Sequence, residues 1–435
     1  MRTLLLLGCL AVSSLSAAAQ IKKDVSAATV ERVLTALAAD DMQGRPTSGP
    51  GNLKAAEFLA TEFGRIGLQP LPGQTGFMQE FPAYETTTSG VQVTLSGQAL
   101  PAGNALAITT QPQLSWTEKD AVEVLVLGPT DKLQAHFQEI FQPTKNLLVL
   151  LDPVQTEWFK RLAGRLTGPQ LHKELTTNPY SCVVALAAVP AAPATYRVAA
   201  TTTTKTQTLR NVVGYLPGHS AARTHEDIVF SGHYDHLGIL KPLAGDSIAN
   251  GADDDASGTT AVVVLAEYFK KRDDNARPLI FVAFTGEEIG GFGATYFSKQ
   301  LDPKDLTAMF NIEMIGKPAK FGPKTAFITG YDRSDFGKLL QASLKGTGFK
   351  FEPDPYPEQN LFYRSDNATL ARLGVPAHTI STDQIPTDKL YHSVDDEVGS
   401  LDVPNMTAVI SAIARSASGM VAGQQTPTRI ALEKN

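Results

Sequence analysis

The chain has 435 residues, 43% hydrophobic and 19% charged, close to the globular average, which excludes a disordered or fibrous chain. Its formal net charge of -6, without clusters of lysine and arginine, leaves no electrostatic footprint for nucleic acid and no basic amphipathic stretch for a membrane surface. At roughly 150 residues per domain the length predicts two or three units.

At the start, Arg2, an apolar run from Leu4 and the small-residue exit Ala17-Ala18-Ala19 predict a signal peptide over residues 1–19, and with it export to the periplasm or the medium. Cys9 follows Leu7 and Gly8, a faint likeness to a lipoprotein signal, but too few apolar residues precede it and lipidation is not expected. No later run approaches the ~20 apolar residues that span a bilayer, so no membrane span is predicted. Of the two cysteines only Cys182 remains after cleavage, which excludes an intramolecular disulfide. Cys182 stands in the apolar run 182–186 and reads as a buried thiol rather than a nucleophile.

Residues 26–68 predict two helices, from Val30, Val33, Leu34 and Leu37 and from Ala55, Ala56, Phe58, Leu59 and Phe63 at helical spacing. Between them, residues 44–51 form a loop rich in glycine and proline. From about 87 to 204 the chain turns to β runs, among them 122–128 and 147–151, which predict a β-rich inserted domain. The segments 20–86 and 205–423 then make one discontinuous domain. From Asn211 onward apolar strands alternate with helical patterns, the signature of an α/β fold with a mixed, mainly parallel sheet sandwiched by helices. Expected strands are 227–230, 279–284, 308–312, 326–329 and 377–380, and Ser257 is expected to cap the helix through Val262 and Phe269. Residues 424–435 read as a loosely ordered tail.

In such sheets sites gather at the carboxyl ends of strands. The strand through Phe230 delivers His233, with Asp235 two residues on as a carboxylate able to orient a metal-binding imidazole. Asp253-Asp254-Asp255 are consecutive acids in a glycine-flanked loop. A calcium loop would alternate its acids, and helix-start electrostatics needs only one, so metal binding is favoured over both. The run 279–284 ends in Gly286-Glu287-Glu288, where one glutamate can ligate metal and the other take a proton from water; a pair of acids opening a helix is the alternative. A further apolar strand ends in Glu313, and His392 lies in a polar loop near the C-terminus. Nitrogen and oxygen ligands without thiolates suit zinc or a neighbouring divalent metal, and a bridging carboxylate would join two ions roughly 3.5–4 Å apart.

These motifs, in this order, resemble the secreted di-zinc aminopeptidases, a family that also includes glutamate carboxypeptidase and glutaminyl cyclase. The resemblance covers most of residues 26–85 and 205–420, and implies a zinc exopeptidase-like fold with two Zn2+ per chain. It pairs His233 with Glu313 on one metal and Glu288 with His392 on the other, makes Asp254 the bridge with a cis Asp254–Asp255 peptide, and gives Glu287 the role of general base and Asp235 that of orienting His233. Many relatives carry Asp where this chain has Glu313, and often His where it has Asn367. Tyr363 and Arg364 fall where substrate contacts are expected, the first for an oxyanion, the second for a carboxylate. The insert at 87–204 resembles a protease-associated domain. The implied activity is hydrolysis of the N-terminal peptide bond of peptides by a water that bridges the metals and is activated by Glu287. A glutaminyl cyclase-like enzyme with one zinc and a non-catalytic binding protein on the same fold are the rivals. Side-chain preference and oligomeric state are not legible in these residues.

Overall fold

A computed structural model describes residues 25–188 and 191–432, so the expected signal peptide lies outside the described residues. The chain divides into two units, one made of the segments up to Phe81 and from Leu209, the other of Pro82–Thr208. The sequence placed these boundaries at 86/87 and 204/205. Among the described residues no helix is long and apolar enough to cross a membrane.

The larger unit is built on a mixed sheet. In spatial order it contains Lys350–Pro353, Thr325–Ile328, Ala377–Ser381, Leu306–Ile312, Asp227–His233, Leu279–Phe284 and the end of Tyr196–Leu216. The central pairs are parallel, and the direction reverses where Ile328 meets Ile380 and where Val212 meets Ala283. The central strands are buried along almost their whole length because both faces are covered, and Leu279–Phe284 is an unbroken apolar run. Ile228 and Phe230 face the helices Ala27–Leu37, Pro50–Ile66, Gly258–Arg272 and Val403–Val421, while Val229 faces Phe292–Ser298 and Asn367–Ala371. Phe230 is the hub of the first face, its ring 5.4 Å from those of Phe269 and Phe281 and 4.9 Å from that of Phe310.

The helix Gly258–Arg272 enters at the sheet's carboxyl edge, and its first residue must be glycine for lack of room. A Cβ at Gly258 would stand 2.1 Å from the Ile312 carbonyl and 2.4 Å from an Asp255 oxygen. Gly258→Ala is therefore expected to destabilise the fold by about 3 kcal/mol, measured as a lowered midpoint in denaturant unfolding. Ser257 does not cap this helix as expected. Its hydroxyl donates to the Asp253 carbonyl and accepts from the Ile315 amide, because the residues before the helix are turned into the sheet edge rather than toward solvent.

The tail also departs from expectation. Arg277, fully buried, donates to the carbonyls of Met420 and Gln425 and to the Thr426 hydroxyl; Ile430 is buried, with its amide on the Gly374 carbonyl. Residues 424–430 are thus pinned by a buried cation and an apolar anchor, neither of which shows in their polar composition.

The smaller unit has its own four-stranded sheet, ordered Ala105–Ile108, Cys182–Leu186, Asn146–Leu151 and Val122–Leu127, with the helix Thr156–Leu166 packed on its core. Cys182 is buried there, and burial pushes its thiol up to about 12, as expected for an inert side chain.

Candidate active site

Three strand ends meet in one place. The strand Asp227–His233 ends on His233, Leu279–Phe284 runs into Glu287 and Glu288, and Leu306–Ile312 is followed by Glu313. The Asp253–Asp255 loop and the His392 loop close over them. Asp254 is the centre: His233 Nε2 lies 3.3 Å from one of its carboxylate oxygens and His392 Nε2 3.3 Å from the other. Glu288 accepts from His236 Nδ1 at 2.7 Å on one oxygen and lies 3.2 Å from His392 Nε2 on the other. The peptide bond between Asp254 and Asp255 is cis.

The three consecutive acids have three different tasks. Only Asp254 faces the histidines. Asp255 accepts from the amides of His233, Gly258 and Met314, and so ties together the three segments that deliver His233, the helix and Glu313. Asp253 accepts from the Gly316 amide, and its own amide and that of Asp254 are held by the Asp396 carboxylate. Backbone amides thus satisfy Asp255, whereas Asp253 combines the Gly316 amide with the Lys317 ammonium, 3.3 Å from its other oxygen.

The electrostatics separate the carboxyls. Burial alone would raise Asp254, but the hydrogen bonds from His233 and His392 outweigh it and hold Asp254 well below the usual carboxylate range. Glu288 is likewise lowered, its burial and the nearby Asp254 being outweighed by His236 and His392. Burial pushes Glu287 well above the usual range, with the charges of Glu313, Asp366 and Glu288 adding to it and His233 opposing. Glu313 is also raised by burial, against the opposing pull of His233 and of a hydrogen bond from Ser365. Two of the four carboxyls are thus lowered and two raised.

One expected role changes. The ring of His233 is oriented by the Asp235 carbonyl, which accepts from Nδ1 at 3.1 Å, while the Asp235 carboxylate stands 3.8 Å away. The chain turns after His233 so that this carboxylate points to the neighbouring loop, where it accepts from Thr47 Oγ1 and from the Glu287 amide. The Tyr363 hydroxyl accepts from Arg333 at 3.0 Å, and its ring packs beneath Arg333 and Arg372. Arg364 is exposed and donates to Gln359. Asn367 is buried in a structural set, donating to the carbonyls of Phe362 and Ala377.

Two residues beside the cluster went unassigned in the sequence. His236, three residues past His233, joins Asp254 and Glu288 as donors close enough to hold one ion. Tyr391 stacks on the His392 ring, centroids 3.8 Å apart, and burial together with the charges of Asp254, Glu288 and Glu313 raises its phenol far above the ordinary value. Their only sequence signal was adjacency to a predicted ligand.

The donor set fits a divalent metal. Glu313 Oε2 is a buried atom without a hydrogen-bond partner, and His233 Nε2 is buried with the Asp254 carboxylate 3.3 Å away; a buried acceptor left unsatisfied beside other carboxylates is costly unless a cation completes it.

Residues 211–417 match the model of Peptidase family M28. Leucine aminopeptidase 1 of Ajellomyces capsulatus strain H88 is 26% identical over 212 residues, which cover 45% of this chain and 52% of that protein. The chain thus spans about half the length of the curated relatives it matches. The aminopeptidase from Aneurinibacillus sp. strain AM-1 superposes with a TM-score of 0.57 at 19% identity, covering 96% of this chain and 98% of that one. A zinc aminopeptidase from Bacillus subtilis superposes with a TM-score of 0.55 at 14% identity, over 95% of this chain and 100% of that one. At such identities the superpositions establish the fold. The segment that matches the Peptidase family M28 model carries His233, Asp254, Glu287, Glu288, Glu313 and His392.

Proposed function

We propose that the chain is an exported, zinc-dependent aminopeptidase that hydrolyses the N-terminal peptide bond of peptides. The observation that carries the reading is Asp254, whose two oxygens each stand 3.3 Å from a different histidine, the arrangement of a carboxylate shared by two ions. His233 and Glu313 would hold one zinc, Glu288 and His392 the other, with Asp254 common to both and His236 orienting Glu288. Export rests on the expected signal peptide, and the 87–204 insert is read as protease-associated-like.

When bound, zinc polarises a carbonyl and eases deprotonation of water near neutral pH. Glu287 is the proton carrier: its raised carboxyl takes the proton of the attacking water and passes it to the leaving amine. The Asp235 carboxylate holds the Glu287 amide and so fixes the base in place. Tyr391, protonated at neutral pH and stacked on His392, can donate a hydrogen bond to the developing oxyanion, the role expected of Tyr363 from the sequence.

The test is metal content of the purified protein together with hydrolysis of aminoacyl, N-terminally blocked and C-terminal glutamate peptides. About two zinc ions per chain, with cleavage only where the N-terminus is free, is the expected result. One zinc or none, without cleavage of any peptide, would overturn the reading in favour of a cyclase or a binding protein.

A further inference from the structure

The loop at residues 44–47, between the first two helices, contains a fully buried arginine. Arg45 donates from Nε to the Tyr234 carbonyl at 2.7 Å, from Nη1 to the carbonyls of Leu37 and Asn250 at 2.6 Å each, and from Nη2 to the Gly251 carbonyl at 2.9 Å. Those acceptors belong to three separate segments: the end of the first helix, the turn between His233 and His236, and the strand exit that leads into Asp254. Its backbone takes part as well, since the Arg45 carbonyl accepts from the His236 amide at 3.0 Å and the preceding Gly44 carbonyl accepts from the Gly238 amide at 3.1 Å. Thr47, two residues on, donates to Asp235.

A buried guanidinium costs much solvation, and here its hydrogen bonds go to neutral carbonyls rather than to a paired carboxylate. The compensation is at longer range. Burial lowers Arg45 to about 10, opposed by the charges of Asp396, Asp235, Asp254 and Asp255, so it stays charged at neutral pH. Arg45 also takes up a left-handed backbone at φ 50°, a conformation that glycine adopts more cheaply. What the position gains from arginine is a rigid, planar fork that reaches several carbonyls at once, which lysine cannot match.

We propose that Arg45 is a positioning residue of the metal centre: it locks the His233–His236 turn against the loop carrying Asp254 before any metal arrives, so that zinc meets preformed ligands. This rests on the zinc-peptidase reading above. It goes further by assigning the spacing of the ligand loops to a residue that touches neither metal nor substrate.

The experiment is zinc titration, by competition with a chelating fluorophore, of wild type, Arg45→Lys and Arg277→Lys. Arg277 is the control, because it too is fully buried and donates to backbone carbonyls, but those of Met420 and Gln425 in the C-terminal segment. Both variants lose thermal stability. Arg45→Lys is expected to bind zinc about tenfold or more weakly, the range typical for residues that orient metal ligands, with Arg277→Lys within about twofold of wild type. Equal affinity for Arg45→Lys and wild type, or equal weakening in both variants, would overturn the proposal. Should Arg45→Lys fail to fold, hydrogen exchange on metal-free wild type decides: the amides of His236, Asp253 and Asp254 are expected to be protected before zinc is added, and protection only after zinc would overturn it. Wild type that binds no zinc overturns instead the functional reading on which the inference rests.

Discussion

Glu287→Gln is expected to lower kcat on the order of a thousandfold while leaving zinc content unchanged. The substitution keeps the shape of the side chain and the hydrogen bond from its backbone amide to Asp235, but removes the carboxyl proposed to take up and return a proton. Because Glu287 stands outside the proposed set of ligands around Asp254, metal analysis of the purified variant should match that of wild type. Rate and metal content measured on the same preparation separate this role from a structural one. Near-normal turnover would sink the assignment of Glu287 as the base, and loss of zinc with turnover would make it a ligand instead.

Asp254→Asn is expected to have the larger effect on metal. Both oxygens of Asp254 are committed, one toward His233 and one toward His392, and an amide offers one acceptor where two are needed and removes the negative charge. Zinc affinity should fall by more than the 10–100-fold typical of residues that merely orient ligands. The thermal midpoint of wild type should rise with added zinc, since a ligand that binds only the folded state stabilises it, whereas that of the variant should stay flat. Asp255→Asn makes the contrast: its carboxylate serves the amides of His233, Gly258 and Met314, so its loss should lower stability in the presence and absence of zinc alike. A variant at Asp254 that retained both zinc ions after gel filtration would rule out a shared carboxylate.

Wherever a signal was local, it was legible in the chain itself. The central strands announce themselves as apolar runs because both faces of the sheet are covered, and His233, Glu287, Glu288 and Glu313 could be named because each is a polar residue at the carboxyl end of such a run. Gathering these residues with Asp254 and His392 required order and spacing alone, and the structure brings all six into one cluster.

What tertiary structure alone decided is which atom of a residue faces which neighbour. Whether Asp235 meets His233 with its carboxylate or its carbonyl depends on the turn after the strand, and composition does not encode the direction of a turn. Of three consecutive aspartates only one faces the histidines, because the backbone at 253–255 presents the other two to amides of segments about 60 residues onward. That Tyr391 stacks on His392, while the Tyr363 hydroxyl accepts from Arg333, is likewise set by the fold. The reach of Arg45 across some 200 residues of chain, and of Arg277 to the tail, left no trace in local periodicity. Hydrophobic patterning is a property of neighbouring residues, so sequence determined the sheet, its covered faces and the polar residues at its edge. The hydrogen bonds that aim those side chains join segments distant along the chain, and only the folded arrangement could choose them.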